Sequence, residues 1–348
     1  ATGCDVTVGD RRLTNALYDI RFAEDGSILS LLDLSHGREI VPAGERLNRL
    51  AVFEDLPYEY DNWEMTPYHS QKQWGFEEKA TFLPLEDGDR RGYEITRYYG
   101  SSKVTQRVWL YGAGIARIDF DTSVVWREKG QLLKAVFPFD LLCDTARYDI
   151  QFGYTERGTR PNTSWDSARF ESVAHKWVDM SEGNYGVALL NDGKYGFGTD
   201  GATLTMTIAK CGGFPYAGAS DEIPDFTYAL LPHGGRDLRG VIRDAYVLND
   251  PFVTRPGGAG DLPADFSLVS CDDDGVIVET VKCAEDGEGM ILRLYEAVKE
   301  RHTVRLRFAR PAEAAWLLDL TEQAPVALPV ADGTVTLTVR PFEILTVK

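Results

Sequence analysis

The dominant pattern along the chain is alternation of apolar and polar positions with period two, interrupted at Gly, Asp, Asn or Pro. Successive side chains of a strand point to opposite faces, so this pattern predicts half-buried β-strands. Residues 21–32 read as strand, Asp25-Gly26 turn and strand, because Asp-Gly suits a tight hairpin. Residues 104–111 and 115–125 read as two strands joined at Gly112-Ala113-Gly114, and 204–208 alternates as well. Helical periodicity is confined to 240–248, which ends at Asn249-Asp250-Pro251, where proline stops a helix. Regular strands with turn signals at this spacing predict sandwiches rather than a parallel α/β sheet.

Glycine and proline cluster at Arg255-Pro-Gly-Gly-Ala-Gly-Asp-Leu-Pro263 without apolar periodicity. The expected division is therefore a large β-domain over 1–255 and a second all-β unit over 256–348. Beyond the cluster, roughly 85 residues of strand-rich sequence remain, enough for an independent domain. Its predicted strands fall at 275–282, 290–296, 303–308 and 334–339. No internal repeat or low-complexity tract interrupts this organisation.

Charge and cysteine usage narrow the function classes. The net charge of −17, from 54 acidic and 37 basic residues, argues against nucleic acid or an anionic membrane as partner. It fits a neutral ligand such as a carbohydrate, and solubility alone explains it equally well. The five cysteines (Cys4, Cys143, Cys211, Cys271, Cys283) are scattered without metal-ligand spacing, which reads as free thiols in a reducing cytoplasm. No apolar run approaches the ~18 residues of a membrane span. The chain opens at Ala1 in strand-like sequence, without a signal peptide, and reads as a piece of a longer protein.

The chemistry-bearing stretch begins at Arg160-Pro-Asn-Thr-Ser-Trp-Asp166. It continues through Ala168-Arg-Phe-Glu171 and Ala174-His-Lys-Trp-Val-Asp179 to Asn191-Asp-Gly-Lys-Tyr-Gly196. Rings that cover the apolar faces of a pyranose, mixed with groups that take its hydroxyls, are what a sugar-gripping surface needs. Trp165, Asp166, His175, Trp177 and Asp179 read as period-two positions on neighbouring strands, with 175, 177 and 179 on one face. That face either lines a cleft or is satisfied inside the protein. Arg160 and Asn162 flank a turn in which Asn162-Thr163 can form Asx-type bonds. Asp61 and Trp63 stand in a loop dense with aromatics (Tyr58, Tyr60, Tyr68 and later Trp74). Trp63 as stacking platform with Asp61 as hydroxyl acceptor competes evenly with an interface patch. Asp61, Trp63, Arg160, Asn162, Trp165, Asp166, His175 and Asp179 are thus the candidate substrate-binding residues. The Asn162-Thr163-Ser164 glycosylation pattern is taken as chance.

These residues carry a resemblance. The run 157–195 resembles the β-domain of glycoside hydrolase family 38, the retaining α-mannosidases, and is most similar to their cytosolic and bacterial branch. Val52-Phe-Glu-Asp-Leu-Pro57, Asp61-Asn-Trp-Glu-Met65 and Phe226-Thr-Tyr-Ala-Leu-Leu-Pro-His233 support it. So do Val281-Lys-Cys-Ala-Glu-Asp-Gly287, Leu292-Arg-Leu-Tyr-Glu296 and Arg340-Pro-Phe-Glu-Ile-Leu-Thr-Val347. The pieces occur in order over essentially the whole chain. One departure is Gly193, where the family pattern has Cys.

The resemblance implies an all-β fold: a large supersandwich of the galactose mutarotase type followed by a smaller β-sandwich. It also implies an aspartate nucleophile, a carboxylic acid proton donor and a divalent metal, typically zinc, on a preceding catalytic domain. No His-x-Asp metal motif occurs here, and His36, His69, His233 and His302 are too far apart in sequence to claim a site. No catalytic or metal-ligating residue is therefore assigned. A retaining dyad needs carboxylates about 5–5.5 Å apart. Asp61 with Glu64, and Asp166 with Glu171, are nominal pairs that read better as turn-forming or strand-edge groups.

The expected function is the non-catalytic C-terminal β-portion of an α-mannosidase, located in the cytoplasm. Its partners would be an α-mannoside substrate, its own N-terminal catalytic domain and, at the homo-oligomer level, a second copy. Two alternatives are a mutarotase-like epimerase, using His175 as acid with Glu171 nearby, and a stand-alone carbohydrate-binding module.

Overall fold

The structure, a computed structural model, describes residues 4–76, 78–112, 114–218, 223–255, 257 and 265–348. The linker read at 255–263 lies almost wholly outside the described residues, as does Ala113 of the turn at 112–114. By internal contacts the chain divides into two compact units. The first comprises 1–149, 156–236 and 244–250; the second comprises 150–155, 237–243 and 251–348. The expected division was contiguous, with its boundary at 255. In the structure the second unit begins its main segment at Pro251 and also takes two earlier segments. Rings explain one of these: Phe152 meets Tyr295 edge-on and Tyr154 meets Phe342, both inside the second unit.

The first unit is built on three antiparallel sheets. Thr7–Val8, Arg12–Thr14, Tyr18–Phe22, Ile28–Asp33 and Arg38–Glu39 form a meander in chain order. A nine-stranded sheet runs Gly153–Gly158, Thr145–Ile150, Trp177–Ser181, Tyr185–Asn191, Phe226–Gly234, Ile118–Val125, Ser102–Tyr111, Arg90–Tyr99, Thr81–Asp87. A six-stranded sheet runs Ser172–Val173, Gly196–Asp200, Thr203–Lys210, Gln131–Pro138, Arg49–Glu54, Gln73–Gly75. One apolar core joins them: Leu13, Ile20 and Leu31 of the meander, Phe120, Val178 and Leu189 of the large sheet, and Leu133, Ala135 and Phe137 of the small one. Each set alternates with outward positions along its strand, as the period-two pattern requires.

A polar cluster crosses this core. Arg97 donates to Gln106 (2.5 Å), Gln106 donates to Tyr228 (2.5 Å), and Tyr228 donates to Asn48 (2.5 Å). Burial lowers the Arg97 guanidinium to about 10. Arg97 also donates to the carbonyls of Asp25 (2.8 Å) and Gly26 (2.5 Å), which fastens the first hairpin. Gly26 has φ +83°, and a Cβ there would lie 2.6 Å from Arg97 and Ile95. Glycine is thus required both by the turn and by the arginine behind it.

The second unit is a small sandwich. Its sheets run Val269–Cys271, His302–Phe308, Thr334–Val339, Val330–Ala331, and Val276–Cys283, Met290–Glu296, Ile344–Val347, Ala315–Leu318, Val326–Leu328. Leu292, Leu294, Val304, Leu306, Val335, Leu337 and Val347 interleave between them. Among the described residues, α-helix is confined to α1, Ser164–Ala168, and α2, Arg239–Asn249. α2 matches the periodicity read at 240–248 and buries Val241, Ile242 and Ala245. α1 corrects the reading of Trp165 and Asp166 as strand positions. Thr163 and Asp166 form a reciprocal capping box, in which each side chain bonds the other's backbone N–H. That local bonding outcompetes strand pairing in a stretch with no buried residue.

Candidate functional site

The outer face of the six-stranded sheet carries the densest chemistry in the first unit. Leu132, Lys134 and Val136 alternate with the core-facing Leu133, Ala135 and Phe137, and so emerge on the far side. There Leu132 and Val136 join Ala51 and Phe53 in a small apolar cluster, against which Met65 packs. Lys134, with a side chain only 3% exposed, is paired with Glu171, which also accepts from Thr207 (3.0 Å). Lys210 bridges Asp55 (3.1 Å) and donates to the Glu64 carbonyl (2.6 Å). Burial raises Asp55, and Lys210 pulls it back only in part.

His69 sits among these groups. Its ring meets Phe53 and Phe170 at 5.6 and 5.7 Å, and Nδ1 is 2.7 Å from the Thr66 carbonyl. A carbonyl only accepts, so the proton lies on Nδ1. Burial first, then the Lys134 charge, lowers the His69 pKa, against smaller opposing effects of Thr66, Glu171 and Asp55. The folded state therefore resists protonation, whereas the unfolded chain takes the proton near 6.5. Stability should fall as pH drops from about 6.5 through the lowered folded value. Urea midpoints at pH 7 and 5.5 should separate in the native protein and converge in His69→Gln; equal separation in both would overturn this.

Residues 55–72, which connect Arg49–Glu54 to Gln73–Gly75 and include a 3-10 turn at Pro67–Gln71, lie next to this face. Both oxygens of Asp61 accept backbone N–H groups, from Gly213 (2.8 Å) and Phe214 (2.7 Å), which lowers its pKa. Asn62 exchanges bonds with the Tyr216 backbone, at 2.9 Å in each direction. Trp63 lies parallel to Tyr60, with centroids 5.4 Å apart and planes 8° from parallel, and Phe214 tilts onto Tyr60. Asp61 is thus the clasp between two loops, and Trp63 is one plate of a rigid, exposed aromatic stack.

The remaining candidates divide into two places. Arg160, Asn162 and Trp165 are exposed along one segment, and Asp166 caps α1 there, bonded to Thr163. His175 is half-buried, its ring edge-on to Tyr195, and its carbonyl accepts from Asn191 (2.6 Å). Asn191 also folds the following turn by accepting from Gly193 and Lys194. A Cβ at Gly193 would find nothing nearer than Phe226 Cβ at 4.0 Å, so the family's Cys fits this turn.

Asp179 lies apart, fully buried on the nine-stranded sheet. It accepts from Arg147 (2.5 Å), Ser181 (2.7 Å) and His233 (2.7 Å). Its oxygens are spent inside the protein, and Trp177 on the same strand is equally buried. Nor does the structure assemble an epimerase pair: Glu171 is held by Lys134 and Thr207, and no hydrogen bond or ion pair links it to His175.

Sequence reasoning passed over Lys134, Asp55, Lys210 and Arg147. Lys134 had a readable signal, a single charge inside the apolar run Leu132-Leu-Lys-Ala-Val-Phe-Pro138. Among the described residues no group of three or more His, Cys, Asp or Glu is placed to hold a metal. No described helix is long and apolar enough to cross a membrane.

Two family models match the chain in order. Residues 13–217 match the glycosyl hydrolases family 38 C-terminal domain, and 275–347 match that family's C-terminal beta sandwich domain. The chain belongs to glycosyl hydrolase family 38.

Human Alpha-mannosidase 2C1 is 35% identical over 97% of this chain, and Alpha-mannosidase G of Dictyostelium discoideum is 35% identical over 83%. The chain spans only 33% and 27% of those two proteins. An alpha-mannosidase from Enterococcus faecalis V583 superposes with TM-score 0.80 at 17% identity, over 98% of this chain and 43% of that one. That likeness supports the all-β family 38 fold. The two model boundaries leave the region of α2 and the linker between them.

Proposed function

We propose that this chain is the non-catalytic C-terminal β-portion of a retaining α-mannosidase, which in its full length hydrolyses terminal α-D-mannosides. The observation that carries the reading is the ordered match to both C-terminal family models by a chain spanning a third of its named α-mannosidase relatives. The reactive carboxylates and a zinc or other divalent ion belong to the preceding portion. The described residues do not fit such an ion, because Asp179 and Glu296 are enclosed by protein donors and no other set converges. The exposed segment with Arg160, Asn162 and Trp165 contributes one wall of the sugar cleft. An aromatic ring beside polar groups suits a pyranose there. Free cysteines throughout fit a cytoplasmic protein.

The test compares the full reading frame with this chain on an aryl α-D-mannoside. The full-length protein should hydrolyse it and bind one equivalent class of divalent ion; this chain should do neither. Hydrolysis by residues 1–348 alone, or an inactive full-length protein, would overturn the proposal.

A further inference from the structure

We infer that the exposed aromatic face built around the Tyr60 stack, with Tyr58, Trp63, Phe214 and Tyr216, is the surface on which the preceding portion of the same polypeptide docks. The inference rests on the reading above for the existence of that portion, and adds where it sits. All four side chains are exposed, from 49% for Phe214 to 98% for Tyr58. Large rings gathered in this way mark a covered surface in the working protein, since interface centres favour aromatics and exclude charge.

The face is also built to stay in shape. The Asp61 and Asn62 bonds fasten the loop to 213–216, and Gly212 permits the approach. A Cβ at Gly212 would stand 2.9 Å from Asn62 Cα and the Asp61 carbonyl. The charges of the clasp are engaged within the protein: the Asp61 carboxylate, kept ionised by two backbone N–H groups, and Asp55, paired with Lys210. The exposed rings are therefore held in a preorganised loop, with Glu59 beside them, which reduces the ordering cost of association.

Small ligands favour concave sites. Two concave sites, of 1320 Å³ beside Trp316 and 400 Å³ beside Arg11, are lined by none of these residues. The occupant is large, because about two-thirds of the relatives' length lies outside the match and both matched models are C-terminal.

Hydroxyl-radical footprinting of the ligand-free full-length protein tests this. Tyr58 and Trp63 should oxidise at least fivefold more slowly than in the same protein unfolded in urea. Rates within twofold of the unfolded protein would overturn the inference. Protection that appears only when a mannose-like inhibitor is added would overturn it too, by making the face a sugar subsite, while leaving the α-mannosidase reading intact. As a second measurement, Tyr58→Ser with Phe214→Ser should shorten the full-length protein's half-life at elevated temperature severalfold. A raised KM for an aryl mannoside with an unchanged half-life would count against docking. A full-length protein without mannosidase activity would sink the earlier proposal only, since the footprint does not depend on turnover.

Discussion

Replacing Glu296 by glutamine should cost the C-terminal unit about 3–5 kcal/mol, a large part of the stability of a small domain. Glu296 is fully buried at the end of the strand Met290–Glu296. One oxygen accepts from the backbone of Val298 (2.9 Å) and Glu300 (3.0 Å) and lies 3.2 Å from His302 Nε2. The other accepts from Lys299 (2.9 Å) and Phe342 (2.8 Å). Lys299 and Phe342 adopt φ of +65° and +56°, a region that side-chain-bearing residues avoid, so the carboxylate holds two strained turns closed. An amide offers one oxygen and turns a donor toward N–H groups, which leaves at least two of them unsatisfied. Hydrogen exchange at His302–Phe308 should accelerate sharply while the first unit's strands stay protected. A change in unfolding free energy below about 1 kcal/mol would contradict this account.

The same contacts show why certain short motifs were legible. Leu292-Arg-Leu-Tyr-Glu296 and Arg340-Pro-Phe-Glu343 are far apart in sequence, yet Glu296 binds the backbone of Phe342. The motif is a polar lock between two turns, and both halves must be kept together. Strands such as Ser102–Tyr111 and His302–Phe308 were readable because one face lies in a core and the other is polar, whereas Trp177–Ser181 and Tyr185–Asn191 are buried along their whole length. The helix α2 was readable for the parallel reason, an apolar stripe at helical spacing.

The loops were not readable, because local hydrogen bonds rather than burial decide them. Thr163 and Asp166 turn a candidate strand into α1, and Pro67–Gln71 forms a 3-10 turn with little apolar pattern. The site suffered likewise. Asp61 and Asp179 have the residue type of a sugar ligand, but only the fold reveals that backbone N–H groups and Arg147 already occupy them. Period two placed Trp177 and Asp179 on one face without saying what lies opposite, and it wrongly extended that face to His175, which falls in the bend before Trp177–Ser181.

Asp179→Asn should destabilise the first unit by about 3–5 kcal/mol, because it strands a buried arginine. Arg147 has a side chain only 8% exposed, and two of its nitrogens donate to Asp179 Oδ2, at 3.0 and 2.5 Å. His233 places Nε2 2.7 Å from Asp179 Oδ1; an ionised carboxylate only accepts, so His233 carries its proton on Nε2. Gly186 is needed alongside, since a Cβ there would lie 2.3 Å from Ser181 Oγ and 2.6 Å from His233. Burial pushes the Asp179 pKa up, but His233, Arg147 and Ser181 together outweigh it and the net shift is downward. A carboxylate with a lowered folded pKa contributes stability that is complete above its unfolded value, about 3.9, and is lost as pH falls through the folded one. The native protein should therefore lose stability on acidification in that window, and Asp179→Asn should show a flatter acid limb from a lower plateau. Combining it with Arg147→Met should recover a substantial part of the loss, since the pair is removed together and no buried charge remains. Strictly additive losses in that double-mutant cycle, read from urea unfolding, would show that the ion pair is not what holds these strands.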